Sequence, residues 1–447
     1  MERINRDNYI SLIGKLLGKG EAVVLTGHRR AGKSCILELL AAELSDKGNV
    51  IYIDMENPEN ADLTTFLELS NKMKETLVEG RRNFVLIDEV QEVSEFEKAL
   101  RYWVKQDNVD VVVTGSNAAM LSSDIANSFA GRYHRVHVSS LDYREFLTFY
   151  GLEDSDYAFS HYLRWGGLPF LYRIPLEDER TRMEYLGSIY DTIFVKDIVR
   201  RRNLRNVSLL DNLARFVADN SGKVFSANSI AKYLKGSEMA VSANTVGDYM
   251  DALCDTYMID RVKRYDIRGK SVFEQQDKYY FEDLGLRNYL CRDKRALDIE
   301  KALEGAVYLK LKRSGYEVYV GQLNGKEIDF VACRGDEVLY VQVALQVTTE
   351  ETYEREFGNL KLIKDNYPKY VVTMDPNVGL IHDSGIVACT AREFLLKDLS
   401  LISNIPVPFT LEGAPPLSCI LPPHGEENRS SCRSYIKVSS DHQRSGF

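Results

Sequence analysis

Eight consecutive residues, Gly27-His28-Arg29-Arg30-Ala31-Gly32-Lys33-Ser34, spell the pattern G-x-x-x-x-G-K-S. The glycines let the backbone curl so that successive N–H groups face an anion, and a helix starting at the lysine adds its positive end. The chemistry this predicts is nucleotide phosphate binding. Lys33 reaches the β- and γ-phosphates of ATP, and the Ser34 hydroxyl takes one coordination position on Mg²⁺. Phosphate contacts are expected from Gly27, His28, Arg29, Arg30, Ala31, Gly32, Lys33, Ser34 and Cys35. A second chemical pair, Asp88-Glu89, follows the apolar run Phe84-Val85-Leu86-Ile87. Asp88 would hold Mg²⁺, and Glu89 would polarise the water that attacks the γ-phosphate. Ser116 and Asn117 offer small polar groups that either sense the γ-phosphate or cap the following helix. Arg132 is either an arginine presented to a neighbouring subunit's γ-phosphate or a surface residue.

These residues need a scaffold that brings distant segments to one edge. Ala22 to Thr26 reads as a buried strand directly before the glycine loop, and Lys33 to Leu44 as a helix directly after it. Val50 to Asp54, Phe84 to Glu89 and Val111 to Gly115 are further apolar strands separated by helical patterns. That alternation predicts a parallel sheet covered on both faces, with its site at the C-terminal strand ends.

At 447 residues the chain has room for roughly three domains of about 150 residues. Nothing approaches the roughly 20 apolar residues of a membrane span, and the N-terminus lacks a signal-peptide pattern. The seven cysteines form no C-x-x-C pair, so reduced thiols and a cytoplasmic location are expected. A net charge of −9 argues against a protein that coats nucleic acid, while leaving room for one basic patch.

The motifs Gly27 to Ser34, Asp88-Glu89, Thr114-Gly115-Ser116 and Ala130-Gly131-Arg132 resemble the prokaryotic AAA+ ATPase family that carries a winged helix and a C-terminal domain of unknown function. The resemblance continues through Trp165-Gly166-Gly167-Leu168-Pro169 and through Lys278 to Arg287, whose Asp-Leu-Gly-Leu-Arg ending is more family-specific than the phosphate loop. It implies an ATPase with a sheet of the AAA+ type. The spacing alone supports an NTPase without choosing among phosphate-loop folds.

Residues 189–292 change character. Ser226 to Leu234 and Ser242 to Leu253 read as two short helices joined by a turn around Lys235-Gly236-Ser237. That is a helix-turn-helix pattern, and Ser242, Asn244 and Thr245 would face a major groove. Arg261, Lys263 and Arg264 precede a basic turn at Arg268-Gly269-Lys270 that reads as a wing. Residues 191–276 hold fourteen Lys or Arg against eleven Asp or Glu, a local excess of three positive charges able to supply salt-sensitive affinity for duplex DNA. Asp248, Asp251 and Asp255 would oppose DNA if they faced it. The run Arg200-Arg201-Arg202 with Arg205 is either a phosphate contact or a solvated helix end.

Residues 293–398 give a helix, then strands, in an order that looks like the restriction-endonuclease-like fold. Glu304 and Asp329 fit its helix glutamate and strand aspartate, but the third position reads Gln342-Val343-Ala344 where that fold places an acid and a lysine. A neutral amide is a weak metal ligand and alanine supplies no cation, so the constellation is degenerate. Residues 399–447 hold six of the chain's eleven prolines and are expected to be disordered.

The expected architecture is therefore α/β: an AAA+ parallel sheet over 1–188, a winged helix-turn-helix over 189–292, a restriction-endonuclease-like domain over 293–398 and a tail. The expected activity is Mg²⁺-dependent ATP hydrolysis coupled to the later domains, acting on DNA as a homo-oligomer without membrane attachment. A slow nucleotide switch that binds protein partners and an ATP-dependent nuclease are the alternatives.

Overall fold

The computed structural model describes residues 6–117, 132–200, 206–235, 241–273, 276–292, 298–380 and 385–399. The first unit comprises α1 (Asp7–Leu16), β1 (Ala22–Thr26), α2 (Lys33–Leu44), β2 (Asn49–Asp54), α3 (Phe66–Thr76), β3 (Asn83–Asp88), α4 (Phe96–Trp103), β4 (Val109–Gly115) and β5 (Tyr133–His137). Its strands form one parallel sheet in the order β2-β3-β4-β1-β5. Every residue of β1, β3 and β4 is buried, as continuous apolar runs in a doubly covered parallel sheet require. Two separate apolar clusters fill its two faces. Because all five strands run the same way, Thr26, Asp88 and Gly115 end along one edge, where the predicted chemistry was placed.

Helices α5 (Tyr143–Tyr150), α6 (Asp156–Trp165) and α7 (Glu179–Thr192) follow, and α7 continues as a π-helical stretch, Ile193–Arg200. Then come α8 (Val207–Asp219), α9 (Ala227–Lys235), α10 (Ala243–Asp255), β6 (Ile259–Val262), β7 (Arg264–Asp266), β8 (Ser271–Val272), β9 (Lys278–Phe281) and α11 (Leu284–Leu290). The last part holds α12 (Ile299–Arg313), β10 (Glu317–Leu323), β11 (Lys326–Arg334), β12 (Glu337–Ala344), α13 (Glu350–Lys361), β13 (Lys369–Thr373), β14 (Ile386–Thr390) and α14 (Ala391–Leu396).

Two features cross the divisions read from sequence. One apolar core runs without a break from Tyr143 through the middle helices to Leu399, past residues 188 and 292. The hairpin of β7 and β8 is joined edge-on to the C-terminal sheet, whose order is β14-β13-β12-β11-β10-β7-β8. Val320, Gly321 and Gln322 pair in parallel with Arg264, Tyr265 and Asp266. The segment read as a wing therefore extends the last sheet at its edge, because β10 offers it an unpaired strand side. Strands β6 and β9 form a separate antiparallel pair, with Ile259 opposite Phe281.

Candidate functional site

The phosphate loop has the backbone its glycines predict. Gly27 and Gly32 adopt φ of 140° and 101°, and Arg30 turns left-handed at 67°. A Cβ on Gly27 would stand 2.1 Å from the carbonyl oxygen of Val138, so the loop lies flush against the segment following β5. Lys33 is buried, and its Nζ donates to the carbonyls of Gly27 at 2.8 Å and His28 at 3.0 Å. Burial pulls the Lys33 ammonium below the usual lysine range, against the opposing pull of Glu89 and Asp88. Ala31 is buried, Ser34 half-buried, and Arg30 and Cys35 exposed.

At the neighbouring strand end a single hydroxyl organises the acidic pair. Thr114 Oγ1 donates to Asp88 Oδ1 and accepts from the backbone N–H of Glu89 at 2.8 Å. The Ser34 hydroxyl also hydrogen-bonds Asp88, and burial raises the Asp88 carboxyl above its ordinary range against both of these hydrogen bonds. Glu89 itself is left-handed, φ 52° and ψ 48°, a conformation that costs a non-glycine residue roughly 1–2 kcal/mol. Its carboxylate is held by Ser116 Oγ at 3.1 Å and by Gln91 Nε2. Ser116 and Asn117 are both buried; the helix they would alternatively cap lies outside the described residues. Ser34 and Asp88 together present hard oxygen donors beside the loop, a donor set that suits Mg²⁺.

The remaining loop side chains tie this edge to other elements. His28 is fully buried, with Nδ1 2.8 Å from the Arg29 carbonyl and Nε2 2.8 Å from Ser140 Oγ. Arg29 forms a two-pronged ion pair with Asp197 of the π-helical stretch, at 2.8 and 3.1 Å, and reaches Glu56 at 3.3 Å. Arg132 is exposed just before β5. Since Tyr133 pairs with Ala22 and His137 with Thr26, Arg132 stands at the far end of the sheet, roughly 15 Å along the strands from its own phosphate loop. It cannot serve the site of its own chain.

Contacts continue from the loop into the later units. The backbone of Leu141 donates to Gly167 O at 2.7 Å, and Gly167 N donates to Asp283 Oδ2 at 2.9 Å. A Cβ on Gly167 would meet Leu141 O at 2.1 Å, and one on Gly285 would meet Trp165 O at 2.1 Å. Asp283 also caps α11 through Leu286 N, and Asn288 Nδ2 donates to the carbonyls of Leu163 and Arg164. The Gly-Gly-Leu-Pro and Asp-Leu-Gly-Leu-Arg segments thus interlock backbone against backbone. Beside them, His137 Nε2 lies 3.0 Å from Glu282 Oε2, and Lys312 of α12 bonds both Glu282 and Asp260.

The candidate DNA-reading residues are placed less favourably. Ser242 is the N-cap of α10, accepting from Thr245 N at 3.1 Å, and the two hydroxyls lie 2.8 Å apart. Asn244 is exposed, as are Asp248 and Asp251 on the same helix. Arg261 bonds Asp251 at 2.5 Å and Tyr279 at 3.1 Å, while Arg264 bonds Gln322 at 2.6 Å and Gln276 at 3.0 Å. Lys263, Arg268 and Lys270 are exposed. Gly236, Ser237 and Arg201 to Arg205 lie outside the described residues. The C-terminal constellation does converge: Val343 N donates to Asp329 Oδ2 at 2.8 Å, Gln342 Oε1 accepts from Asp329 N at 3.3 Å, and Lys278 contacts both Glu304 and Asp329.

A family model described as an AAA domain matches residues 19–147, and one described as a domain of unknown function matches 156–299. An uncharacterized protein of Haemophilus influenzae is 32% identical over 379 residues, which cover 83% of this chain and 93% of that protein. The chain belongs to that protein's family. A Methanocaldococcus jannaschii uncharacterized protein is 26% identical over 391 residues, 83% of this chain and 85% of its own length. Among solved structures, a Walker-type ATPase of Pyrococcus abyssi aligns with TM-score 0.48 at 16% identity, covering 65% of this chain and 96% of that one. The N-terminal unit of this family member is an AAA-type phosphate-loop domain. Among the described residues no helix is long and apolar enough to cross a membrane.

Sequence reasoning missed Thr114 as the link between Asp88 and Glu89, Asp197 as the partner of Arg29, and Lys278 in the C-terminal cluster. Thr114 was visible as a polar residue closing an apolar strand. The other two depend on contacts made between segments far apart in the chain, which spacing does not report.

Proposed function

We propose that this AAA-domain protein is a Mg²⁺-dependent ATPase whose nucleotide state is transmitted to residues 141–399, and that duplex DNA is the partner those residues meet. The observation that carries the catalytic reading is the Thr114 bridge, one hydroxyl bonded to the Asp88 carboxylate and to the Glu89 backbone N–H in the acidic pair. On this reading Asp88, paired with the Ser34 hydroxyl, would hold the metal. Glu89, gripped by Ser116 and Gln91, would take the proton of an attacking water. Lys33 exchanges its loop carbonyls for phosphate oxygens, and Ser116 with Asn117 reports the γ-phosphate through Glu89. When bound, Mg²⁺ neutralises phosphate charge. Arg132, remote from its own loop, is assigned to a neighbouring copy's site in a homo-oligomer.

The exposed Asn244, Lys263, Arg268 and Lys270 support the DNA reading. One observation favours a second reading, a nucleotide switch that binds protein: the exposed face of α10 carries Asp248 and Asp251, and Arg261 and Arg264 are already engaged. Steady-state phosphate release with and without duplex DNA, at 50 and at 200 mM salt, decides between them. DNA-stimulated turnover that weakens at the higher salt upholds the first reading. Turnover indifferent to DNA, with no salt-dependent binding, leaves the switch. An absence of Mg²⁺-ATP affinity in calorimetry would remove both.

A further inference from the structure

We propose that the acidic pocket of the C-terminal unit takes a primary ammonium group, the side chain of Lys278, where its fold would otherwise seat a divalent cation. Lys278 opens β9, an element of the middle unit, and its side chain is only 3% exposed. Its Nζ lies 2.8 Å from Glu327 Oε1, 3.2 Å from Glu304 Oε1 and 4.0 Å from Asp329 Oδ1. These carboxylates come from α12 and β11, so one lysine collects the acidic groups of two C-terminal elements.

The rest of the pocket is built to match a fixed organic cation. Tyr280 OH, two residues along β9, donates to Glu304 Oε1 at 2.5 Å, and Val343 N donates to Asp329 Oδ2 at 2.8 Å. Those donors take up carboxylate lone pairs that a metal would need. Gln342, at the position where an acid would be the third ligand, turns its Oε1 to the backbone N–H of Asp329. Gly222 closes the other side: a Cβ there would lie 2.5 Å from Glu304 Oε2. Among the described residues no group of three His, Cys, Asp or Glu side chains is disposed to hold a metal ion. Ala344 cannot supply the lysine its strand position calls for; Lys278 brings one from β9 instead.

A buried ammonium surrounded by carboxylates, on a strand of a different unit, serves as a charged pin that docks β9 onto the C-terminal sheet. Its removal would leave the half-buried Glu304 and Asp329 carboxylates without a countercharge, a state relieved by neutralising one of them. The pin is independent of nucleotide binding and hydrolysis, and it is probed in the absence of nucleotide.

Full-length protein is compared with Lys278→Met and Lys278→Met/Asp329→Asn in thermal melts with 0 and 5 mM Mn²⁺. Lys278→Met is expected to melt lower than the unaltered chain by the same margin with and without Mn²⁺, and the double variant, with one carboxylate neutralised, is expected to regain roughly 3 °C or more. A Lys278→Met variant that melts as the unaltered chain does, or that Mn²⁺ restores, overturns the proposal. Should that variant fail to fold, Mn²⁺ binding to the unaltered chain is read by electron paramagnetic resonance. Bound Mn²⁺ that disappears on Asp329→Asn would show that the metal and not the lysine holds the pocket, and an unchanged signal upholds the pin.

Discussion

His28 Nε2 and Ser140 Oγ lie 2.8 Å apart in the protein interior, so the phosphate loop is hydrogen-bonded to the segment that leaves β5. Burial keeps the imidazole below the usual histidine range, against the pull of Asp283 and Glu282. Ser140 stands beside Leu141, Leu141 pairs with Gly167, and Gly167 N donates to Asp283. The Leu141–Gly167 link is a backbone approach too close for a side chain and the other two are buried hydrogen bonds, so a displacement of the loop would be passed along them toward α11.

Replacement of Asp283 tests that path. Asp283→Ala removes both the acceptor for Gly167 N and the N-cap of α11, leaving a buried N–H unpaired. A loss of about 2 kcal/mol is expected in denaturant unfolding. Asp283→Asn, which keeps one acceptor oxygen and the cap, is expected to lose about half as much. Equal losses in the two variants would contradict the path.

Variants of the phosphate loop and of the acidic pair test whether binding and turnover are served by different residues. Lys33→Ala is expected to abolish measurable ATP affinity in calorimetry, because it deletes the loop ammonium assigned above to the phosphates. Glu89→Gln keeps the shape and the Ser116 contact, so affinity should change little while phosphate release falls by roughly 10²–10⁴-fold. Glu89→Gln turning over at the unaltered rate would reassign the base.

Thr114→Val preserves volume and deletes the hydroxyl shared by Asp88 and the Glu89 backbone. The left-handed Glu89 then loses one of the contacts that hold its strained conformation. Turnover is expected to fall by about tenfold or more, with ATP affinity nearly unchanged, and Thr114→Ser is expected to recover most of it. Rates from single-turnover quench measurements on the three proteins decide this.

The strand-loop-helix around Gly27 to Ser34 and the acidic pair at the end of β3 were legible because both are local. Apolar runs fix the strands, and the glycine spacing fixes the turn. The order of strands was not legible, and with it went Thr114, whose role exists because β4 lies beside β3. The turn at Arg268 to Lys270 reads as a free wing in sequence, since nothing in β7 announces that β10 will pair with it. The Gly-Gly-Leu-Pro and Asp-Leu-Gly-Leu-Arg segments stood out by resemblance alone. Their physical reason, Gly166 and Gly285 pressed against the backbone of the opposite segment, required both to be in place at once.

Glu145 makes the joint between the units sensitive to acid. Its carboxylate receives Arg6 Nε at 2.9 Å and Nη2 at 3.0 Å from the chain's start, and Arg313 Nη2 at 2.6 Å from α12. Burial alone would raise the carboxyl, but Arg313 and Arg6 outweigh it and hold it at about 2, below the 4.5 of a free glutamate. A carboxyl with a depressed folded value contributes stability that is fully present above the unfolded value and is lost as pH falls through the folded one. Glu145 therefore contributes about 3 kcal/mol at neutral pH, declining as pH drops from 4.5 toward 2. In Glu145→Gln the two buried guanidinium groups keep their places without a countercharge, and a comparable loss is expected at pH 7. Chemical unfolding at pH 7, 4 and 3 should show the gap between the unaltered protein and Glu145→Gln narrowing steadily with acid. A gap that stays constant over that range would mean the three side chains stabilise the joint through packing and not through charge.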